Sequence, residues 1–211
     1  PRIYFRKGAG SYFSAQCGGS APTYSCTIDN ALIGGVVISD TVSYFVIAQD
    51  TAGNISANPS TGLVATDVNT VTTAPTTPNS YLISAPFSGV KTVCASGCDY
   101  TTLTGAGGLF SAINAGVAVG NIDVQIAGDL IVGEDGSNRL NGLSESPAGS
   151  NFSLKIYPTG IARAITGSVA SGSVIRLNGA SRVTIDGSLG GAGTDRSLTI
   201  QNTSATSPSV V

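Results

Sequence analysis

The side chains of this sequence that are best suited to chemistry are carboxylates and guanidinium groups in its second half. They are Asp123, Asp129, Glu134, Asp135, Asp186 and Asp195, with Arg163, Arg176 and Arg182. A polysaccharide lyase needs clustered carboxylates for Ca²⁺ and a basic residue that accepts a proton, and a glycosidase needs two carboxylates flanking the bond. No predicted strand carries two carboxylates at positions i and i+2, and the chain has no His, which excludes Ser-His-Asp and Cys-His centres. We therefore predict that this chain has no catalytic residues.

An oxygen-rich loop, GEDGSNRLNG, is the one segment that suggests a metal ion. It contains Glu134, Asp135 and Asn138, whose side-chain oxygens are of the kind that bind Ca²⁺. Their spacing does not follow the D-x-[DN]-x-[DN]-G pattern of a calcium-binding loop. We name these three residues as candidate calcium ligands, with a solvated surface loop as the alternative, and expect no other cofactor.

A second set of candidates could contact a glycan from the outer face of predicted strands. In RVTIDG the apolar residues point inward, so that Arg182 and Asp186 point outward. The same alternation places Lys155 and Tyr157 outward in SLKIYPTG, and Arg176 outward in SVIRLNG. We name these five residues as candidate glycan contacts, although a lone charged residue on such a surface is usually only solvated.

Four cysteines form two local groups, Cys17 with Cys26 and Cys94 with Cys98. Four cysteines allow three connectivities, and proximity favours the local pairing. A zinc site is the alternative, but the spacings do not match the usual ligand pairs and no His is present. Each local disulfide would contribute roughly 2–3 kcal/mol in the chain-entropy model. Disulfides predict an oxidising compartment, which is the periplasm, the cell surface or the medium, and of these we expect the cell surface or the extracellular medium.

Composition excludes several classes of partner. Only 10% of the residues are charged, the formal net charge is -2, and no basic patch is present, so nucleic acid is not expected as a partner. No run of 18 apolar residues occurs, so no membrane span is predicted.

The elements that would position these side chains are short strands with a repeated form. Alternating apolar pairs face inward and are followed by Gly, Asn or Thr, which is typical of a β-solenoid. The predicted inward pairs are Val124 with Ile126, Leu154 with Ile156, Ile175 with Leu177, Val183 with Ile185, and Leu198 with Ile200. Two inserts, GEDGSNRLNGLSESPAGS and GSLGGAGTDR, are predicted to be loops that leave one face. One segment has helical spacing, at Leu109, Phe110, Ile113 and Val117.

The first part of the chain, residues 1–66, is predicted to form antiparallel strands. In RIYFRKG the alternation places Ile3 and Phe5 on one face of the strand and Tyr4 on the other. In DTVSYFVIAQ it places Val42 and Phe45 on different faces. Residues 67–93 are predicted to be a Thr- and Pro-rich linker with a lead-in strand, and residues 94–211 the start of the solenoid. PRIYF is predicted to be a strand from the first residue, and the final SPSVV to begin another at Val210, so we interpret both ends as lying within structure.

Two stretches carry a resemblance to known families. IYFRKGAGSYFSA and DTVSYFVIAQDTAGNISANPS resemble the second half of an immunoglobulin- or fibronectin-like module, with the early strands absent. CDYTTLTGAGGLFSAINAG, IDVQIAGDLIVGE and VIRLNGASRVTIDGS resemble the start of a right-handed parallel β-helix of the pectin-lyase-like superfold. The order of the two modules resembles that in large secreted or cell-surface proteins of Bacteroidota-type bacteria.

The resemblance implies an all-β fold: a partial immunoglobulin-like β-sandwich, then a right-handed parallel β-helix with a short N-terminal capping helix. The function it implies is a non-catalytic structural or adhesive segment of an extracellular surface protein. Its partners would be other modules of the same chain, neighbouring copies or a polysaccharide. One alternative is a filament subunit assembled by strand complementation, in which a neighbour fills the incomplete sandwich. The other is a fragment of a polysaccharide lyase or hydrolase whose catalytic turns lie beyond residue 211.

Overall fold

The computed structural model describes residues 1–206, 208, 209 and 211, which form two compact units. The first unit is Pro1–Ser84 and the second is Ala85–Val211. Val210, where a further strand was predicted, lies outside the described residues.

The first unit is built on a five-stranded antiparallel sheet. Strand β5 pairs with β1 along one edge and with both β6 and β9 along the other, and β2 lies outside β1. Two hairpins, β3–β4 and β7–β8, stand apart from this sheet. The strands are β1 (Arg2–Lys7), β2 (Phe13–Gln16), β3 (Gly18–Ser20), β4 (Thr23–Ser25), β5 (Thr41–Gln49), β6 (Ile55–Asn58), β7 (Val64–Asp67), β8 (Thr70–Thr73) and β9 (Asn79–Leu82).

The predicted alternation of the two main strands is confirmed, because the sheet buries apolar residues on both faces. Ile3, Phe5 and Val42 belong to one buried cluster. Tyr4 and Phe45 belong to a second cluster, in which their rings stack with centroids 5.1 Å apart. Both predicted strands therefore lie in the register that their sequence patterns require.

An immunoglobulin-like pair of packed sheets is not seen in the described part of the chain. Loops and the β7–β8 hairpin cover the faces of the single sheet instead. Ile33 and the Cys17–Cys26 disulfide pack on one face, and Leu63, Val68 and Val71 pack on the other. The apolar surface that missing sandwich strands would have left open is thus covered by the chain itself.

The segment predicted as a linker, 67–93, contains β8, β9 and a third strand, β10 (Pro86–Val93). The first two belong to the first unit, and β10 is the first strand of the second unit. The boundary between the units, at Ser84, therefore lies later than the predicted end of the first module and earlier than the predicted start of the solenoid.

The second unit is a parallel β-solenoid of about four turns, as the repeated strand pattern predicted. Its largest sheet runs in the order β10–β11–β13–β16, and two smaller parallel sheets pair β12 with β15 and β14 with β17. The remaining strands are β11 (Val117–Ile126), β12 (Leu140–Asn141), β13 (Leu154–Pro158), β14 (Arg163–Gly167), β15 (Leu177–Asn178), β16 (Val183–Ile185) and β17 (Leu198–Asn202).

Aliphatic side chains stacked from turn to turn form the solenoid core, because each ladder repeats the same inward positions. Val124 pairs with Ile156, which pairs with Ile185, and the first two are fully buried. Four of the five predicted inward pairs lie in this core or pack against it.

For the fifth pair the prediction is right for Ile175, which is fully buried, and wrong for Leu177, which is 43% exposed. The chain bends at Val174 and Ile175, which are both fully buried, so the simple alternation is interrupted there. Leu177 pairs with Leu140 on one side, and no described strand pairs with β15 on its other side.

The predicted helix is confirmed as α1 (Leu109–Ala115), which lies between β10 and β11. Leu109, Phe110 and Ile113 are buried in the solenoid core. Val117, predicted as its last apolar contact, instead begins β11. Gly116 ends the helix where a Cβ would lie 2.5 Å from the Phe87 ring, so a side chain would not fit at this junction. In the described ranges, no helix has the length and apolar character of a membrane span.

Candidate functional site on the outer face of the solenoid

The largest solenoid sheet presents two rows of polar side chains on its outer face. In the register of β11 and β13, Asp123 lies next to Lys155 and Gln125 lies next to Tyr157. Lys155 and Tyr157 alternate with the buried residues of β13 and are half-buried, so their predicted outward direction is confirmed. Asp186 directly follows β16, and its amide donates to the carbonyl of Ile156, which brings its side chain to the same face.

An ion pair links adjacent turns on this face. The Nζ of Lys155 lies 3.0 Å from Oδ2 of Asp186. The Ser188 hydroxyl and amide both donate to Oδ1 of Asp186, at 2.6 and 2.9 Å. These hydrogen bonds, first from the Ser188 hydroxyl and then from its amide and Lys155, lower the pKa of Asp186 to about 2. Asp186 is thus a firmly ionised anchor rather than a proton donor at neutral pH.

Tyr157 is less accessible than its outward position predicted. Its hydroxyl accepts a hydrogen bond from Nε2 of Gln125 at 3.1 Å, and the Lys155 ammonium lies 5.8 Å from the ring centroid. The insert containing Gly191 was predicted to leave the face, but it folds back over it. A Cβ on Gly191 would lie 2.8 Å from Cγ of Tyr157, so the Gly191 backbone rests on the ring. The ring is therefore partly covered by the chain itself.

Arg182 points away from this group and pairs with another turn. Its Nη2 lies 2.5 Å from Oε1 of Glu145, and its Nε donates to the carbonyl of Phe152 at 2.9 Å. Burial raises the pKa of Glu145, but the amides of Asn151 and Phe152 and the Arg182 guanidinium outweigh it, and the pKa lies below its usual value. Arg182 thus holds the loop before β13 to the start of β16.

Arg176 lies in a third place, beside the turn that follows Glu134. Its Nη2 donates to the carbonyl of Gly136. The hydroxyl and amide of Ser137, assisted by the Arg176 charge, lower the pKa of Asp135. The five predicted glycan contacts therefore divide into three groups, and the structure brings only Lys155, Tyr157 and Asp186 together.

The three candidate calcium ligands are used within the protein. Glu134 is 2% exposed, and its carboxylate accepts hydrogen bonds from the Leu103 amide at 2.6 Å and from the Thr104 amide and hydroxyl at 2.8 Å each. Asp135 accepts a bond from the Ser137 amide, and the Asn138 amide donates to the carbonyl of Gly105. In residues 1–206, 208, 209 and 211, no group of three or more His, Cys, Asp or Glu side chains could hold a metal ion.

Glu134 is the most constrained carboxylate in the solenoid, and its role was missed from the sequence. It fixes the turn before α1 by bonding to backbone groups about 30 residues earlier in the chain. A charged residue in a polar, Gly-containing segment gives no sequence signal of burial. Only contact information between the two segments would have identified it.

The predicted disulfides are both confirmed, Cys17–Cys26 and Cys94–Cys98. Cys17 is buried in the first unit, where the bridge closes the β3–β4 hairpin. The second bridge closes a loop at the end of β10, where Asp99 also accepts hydrogen bonds from the Thr92 amide and hydroxyl. These bonds lower the pKa of Asp99.

No protein-family model, curated protein or solved structure matches this chain.

Proposed function

We propose that this chain is a non-catalytic structural or adhesive segment of an extracellular bacterial surface protein. In this proposal the first unit is an immunoglobulin-related spacer module, and the solenoid is a rigid rod that presents a binding face to a polysaccharide. Other modules of the same chain, or neighbouring copies, are its further partners.

One observation carries the proposal: charged and amide side chains of the solenoid bond one turn to the next. Lys155 bonds to Asp186, and Arg182 bonds to Glu145, which lies 37 residues earlier. Asn178 donates to Asn141 at 2.8 Å, again 37 residues apart. Side chains used in this way hold turns in register and are not free to transfer protons, which favours a rod over an enzyme.

The extracellular location is supported by the two disulfides, because such bridges persist in oxidising compartments and are rare in reducing ones. The surface chemistry agrees with this, as hydroxyls and amides rather than charges dominate a chain with 10% charged residues.

The right-handed, pectin-lyase-like form of the solenoid is part of the same proposal. Parallel strands joined by crossover connections are right-handed in about 98% of cases. The helix α1, whose apolar side joins the solenoid core near its first strand, supports the expected capping role.

The adhesive role would use the outer face of the β10–β11–β13–β16 sheet. There Asp123, Lys155 and Thr184 lie in one row across β11, β13 and β16, and Gln125 lies beside Tyr157 in the next row. A row of donors and acceptors on an outer sheet face, next to an aromatic ring, suits a sugar chain better than a small enclosed ligand.

A panel of plant, algal and bacterial polysaccharides tests both parts of this proposal. The purified chain should be retained on at least one polysaccharide without releasing product, and Gln125→Ala should weaken that retention more than Gln201→Ala on the β14–β17 sheet. Release of reducing ends or unsaturated sugars would overturn the non-catalytic assignment. Equal retention of both variants would overturn the choice of face.

A second candidate function, a filament subunit assembled by strand addition, is favoured by β9. All four residues of β9 are exposed, and among the described strands it pairs only with β5. An exposed edge is a template for strand addition. Ser80→Pro should then abolish concentration-dependent assembly seen by light scattering, and a wild-type chain that stays monomeric at high concentration would exclude this candidate.

A further inference from the structure

The loop that covers Tyr157 has an unusual relationship to the sheet beneath it. We call residues 188–196 the strap, and Gly187 with Ser197 its base. The strap crosses the outer face of β13 and places Gly191, at φ 71°, against the sheet. A Cβ at this position would lie 2.8 Å from Cγ of Tyr157 and 3.2 Å from Cε of Lys155. Only a residue without a side chain allows this close approach.

The strap is closed on itself by its own hydrogen bonds. At the base, the Ser197 amide donates to the Gly187 carbonyl at 2.7 Å. Inside the strap, Oδ2 of Asp195 accepts from the Leu189 amide at 3.0 Å, and Oγ of Ser188 accepts from the Gly193 amide at 2.9 Å. Because each of these amides bonds to an acceptor within the same loop, they lose their partners together when the strap opens and its internal bonds break.

Ser188, at the first position of the strap, is fixed beside the base by its two bonds to Asp186, and few contacts hold the rest of the strap to the sheet. Ser188 and Gly191 are its two buried residues, and its largest apolar side chain, Leu189, is 41% exposed. In the described part of the chain, the side chain from another turn that bonds to the strap is Lys155, which donates to the Gly191 carbonyl. Lifting the strap would expose little apolar surface, and segments with so few buried contacts have low local opening free energies.

We propose that the strap opens about its base, with Lys155 as the latch, and thereby controls access to the face of the Tyr157 ring. The same ammonium pairs with Asp186 at 3.0 Å and remains paired when it releases Gly191, so opening leaves no unpaired charge. An open strap presents an aromatic ring, an ammonium group and the Gln125 amide side by side.

These three groups suit a pyranose ring, whose apolar face can lie on the aromatic ring while its hydroxyls bond to the ammonium and amide. Here the inference rests on the proposed adhesive function, which it makes more specific by naming a gated contact. The opening motion itself does not depend on any ligand.

Two neighbouring glycines provide a matched pair of variants. Gly190 and Gly191 have φ of 74° and 71°, so that Ala is similarly strained at either position. A Cβ on Gly190 meets nothing within 4 Å, whereas a Cβ on Gly191 meets the Tyr157 ring. Gly191→Ala therefore wedges the strap open, and Gly190→Ala controls for backbone strain.

Amide hydrogen exchange in the intact chain tests the opening. In the wild type, the amides of Leu189 and Gly193 should exchange together and faster than those of β13. Gly191→Ala should accelerate both by about tenfold or more relative to Gly190→Ala, with β13 unchanged. Equal exchange in the two variants, or strap amides that exchange only in step with β13, would overturn the proposal.

Lys155→Met tests the latch without adding a Cβ to the strap. It should accelerate exchange of the strap amides while β13 stays protected, and an unchanged strap would overturn the assignment of Lys155. Retention on the polysaccharide bound by the wild type should increase in Gly191→Ala over Gly190→Ala. Faster exchange without increased retention would keep the strap as a moving element and overturn its role in glycan access.

Discussion

The side-chain amide of Asn114, in α1, bonds to the backbone of the next solenoid turn on either side of Leu140. Its Nδ2 donates to the carbonyl of Arg139 at 2.7 Å, and its Oδ1 accepts from the amide of Asn141 at 3.0 Å. A preceding parallel strand would have supplied these two bonds. Because the chain is helical at this point in the earlier turn, the Asn114 side chain substitutes for the missing strand and begins the β12–β15 ladder.

The first prediction concerns the role of the Asn114 side chain in place of a strand. Asn114→Ala should reduce the stability of the β12–β15 region by about 1–2 kcal/mol, since it leaves two backbone groups without partners. Amide exchange of Leu140, whose N–H donates to the Arg176 carbonyl, measures this in the intact chain. Asn178→Ala is the control, because it removes one bond between exposed side chains. An equal effect of both changes would contradict the strand-substitute role.

The second prediction concerns Glu134. Glu134→Gln places an NH₂ group against the Leu103 or Thr104 amide, which are both donors, and should destabilise the solenoid by about 2–3 kcal/mol. Asp135→Asn, one residue away and partly exposed to solvent, should cost far less. Amide exchange of α1 residues, measured at increasing urea concentration, gives the free energy of unfolding of both variants for comparison. If the two variants were equally stable, Glu134 would not be the anchor of the turn before α1.

The third prediction separates the two disulfides. Cys17→Ser with Cys26→Ser should cost roughly 3 kcal/mol, from the nine-residue separation in the chain-entropy model and from the buried position of Cys17. Cys94→Ser with Cys98→Ser should cost less, roughly 2 kcal/mol or below, because the separation is four residues and Asp99 already holds the loop. Thermal unfolding of both double variants checks the order, and a larger loss for the second pair would contradict it.

The fourth prediction concerns pH. Because the pKa of Asp186 is lowered from 3.8 to about 2, its bonds to Ser188 and Lys155 stabilise the folded state fully above about pH 4 and are lost as the pH falls through about 2. A carboxyl-carbon NMR titration should give a midpoint near 2. Ser188→Ala should raise that midpoint more than Lys155→Met does, since the Ser188 hydroxyl is the largest cause of the shift. A midpoint near 3.8 in the wild type would contradict the assignment.

Much of the fold could be predicted because a strand pattern is local. The alternation of Ile3, Tyr4 and Phe5, and that of Leu154, Lys155 and Ile156, follows directly from side chains pointing to opposite faces. The tight turn after β5 is local in the same way, since Asp50 accepts bonds from the Ala52 and Asn54 amides within four residues. The short disulfide loops belong to the same class of local features.

The arrangement of the candidate site could not be predicted, because its contacts join distant residues. Nothing near Glu134 in the sequence indicates that Leu103 and Thr104 would bond to it, and nothing near Tyr157 indicates that Gly191 would cover its ring. Leu177 was placed inward because the alternation was extended through a bend at Val174 and Ile175. Sequence alternation identifies a face, but a loop that returns over that face decides what remains accessible.

A non-catalytic chain binds polysaccharide or supports neighbouring modules without cleaving a glycan, and one assay tests this most directly. The intact chain is incubated with the polysaccharide panel, and new reducing ends and unsaturated sugars are followed over time beside an active lyase and a heat-denatured sample. We predict product formation no greater than that of the denatured sample on every polysaccharide, including any that retains the chain. Product that accumulates in proportion to the amount of folded chain would contradict the claim.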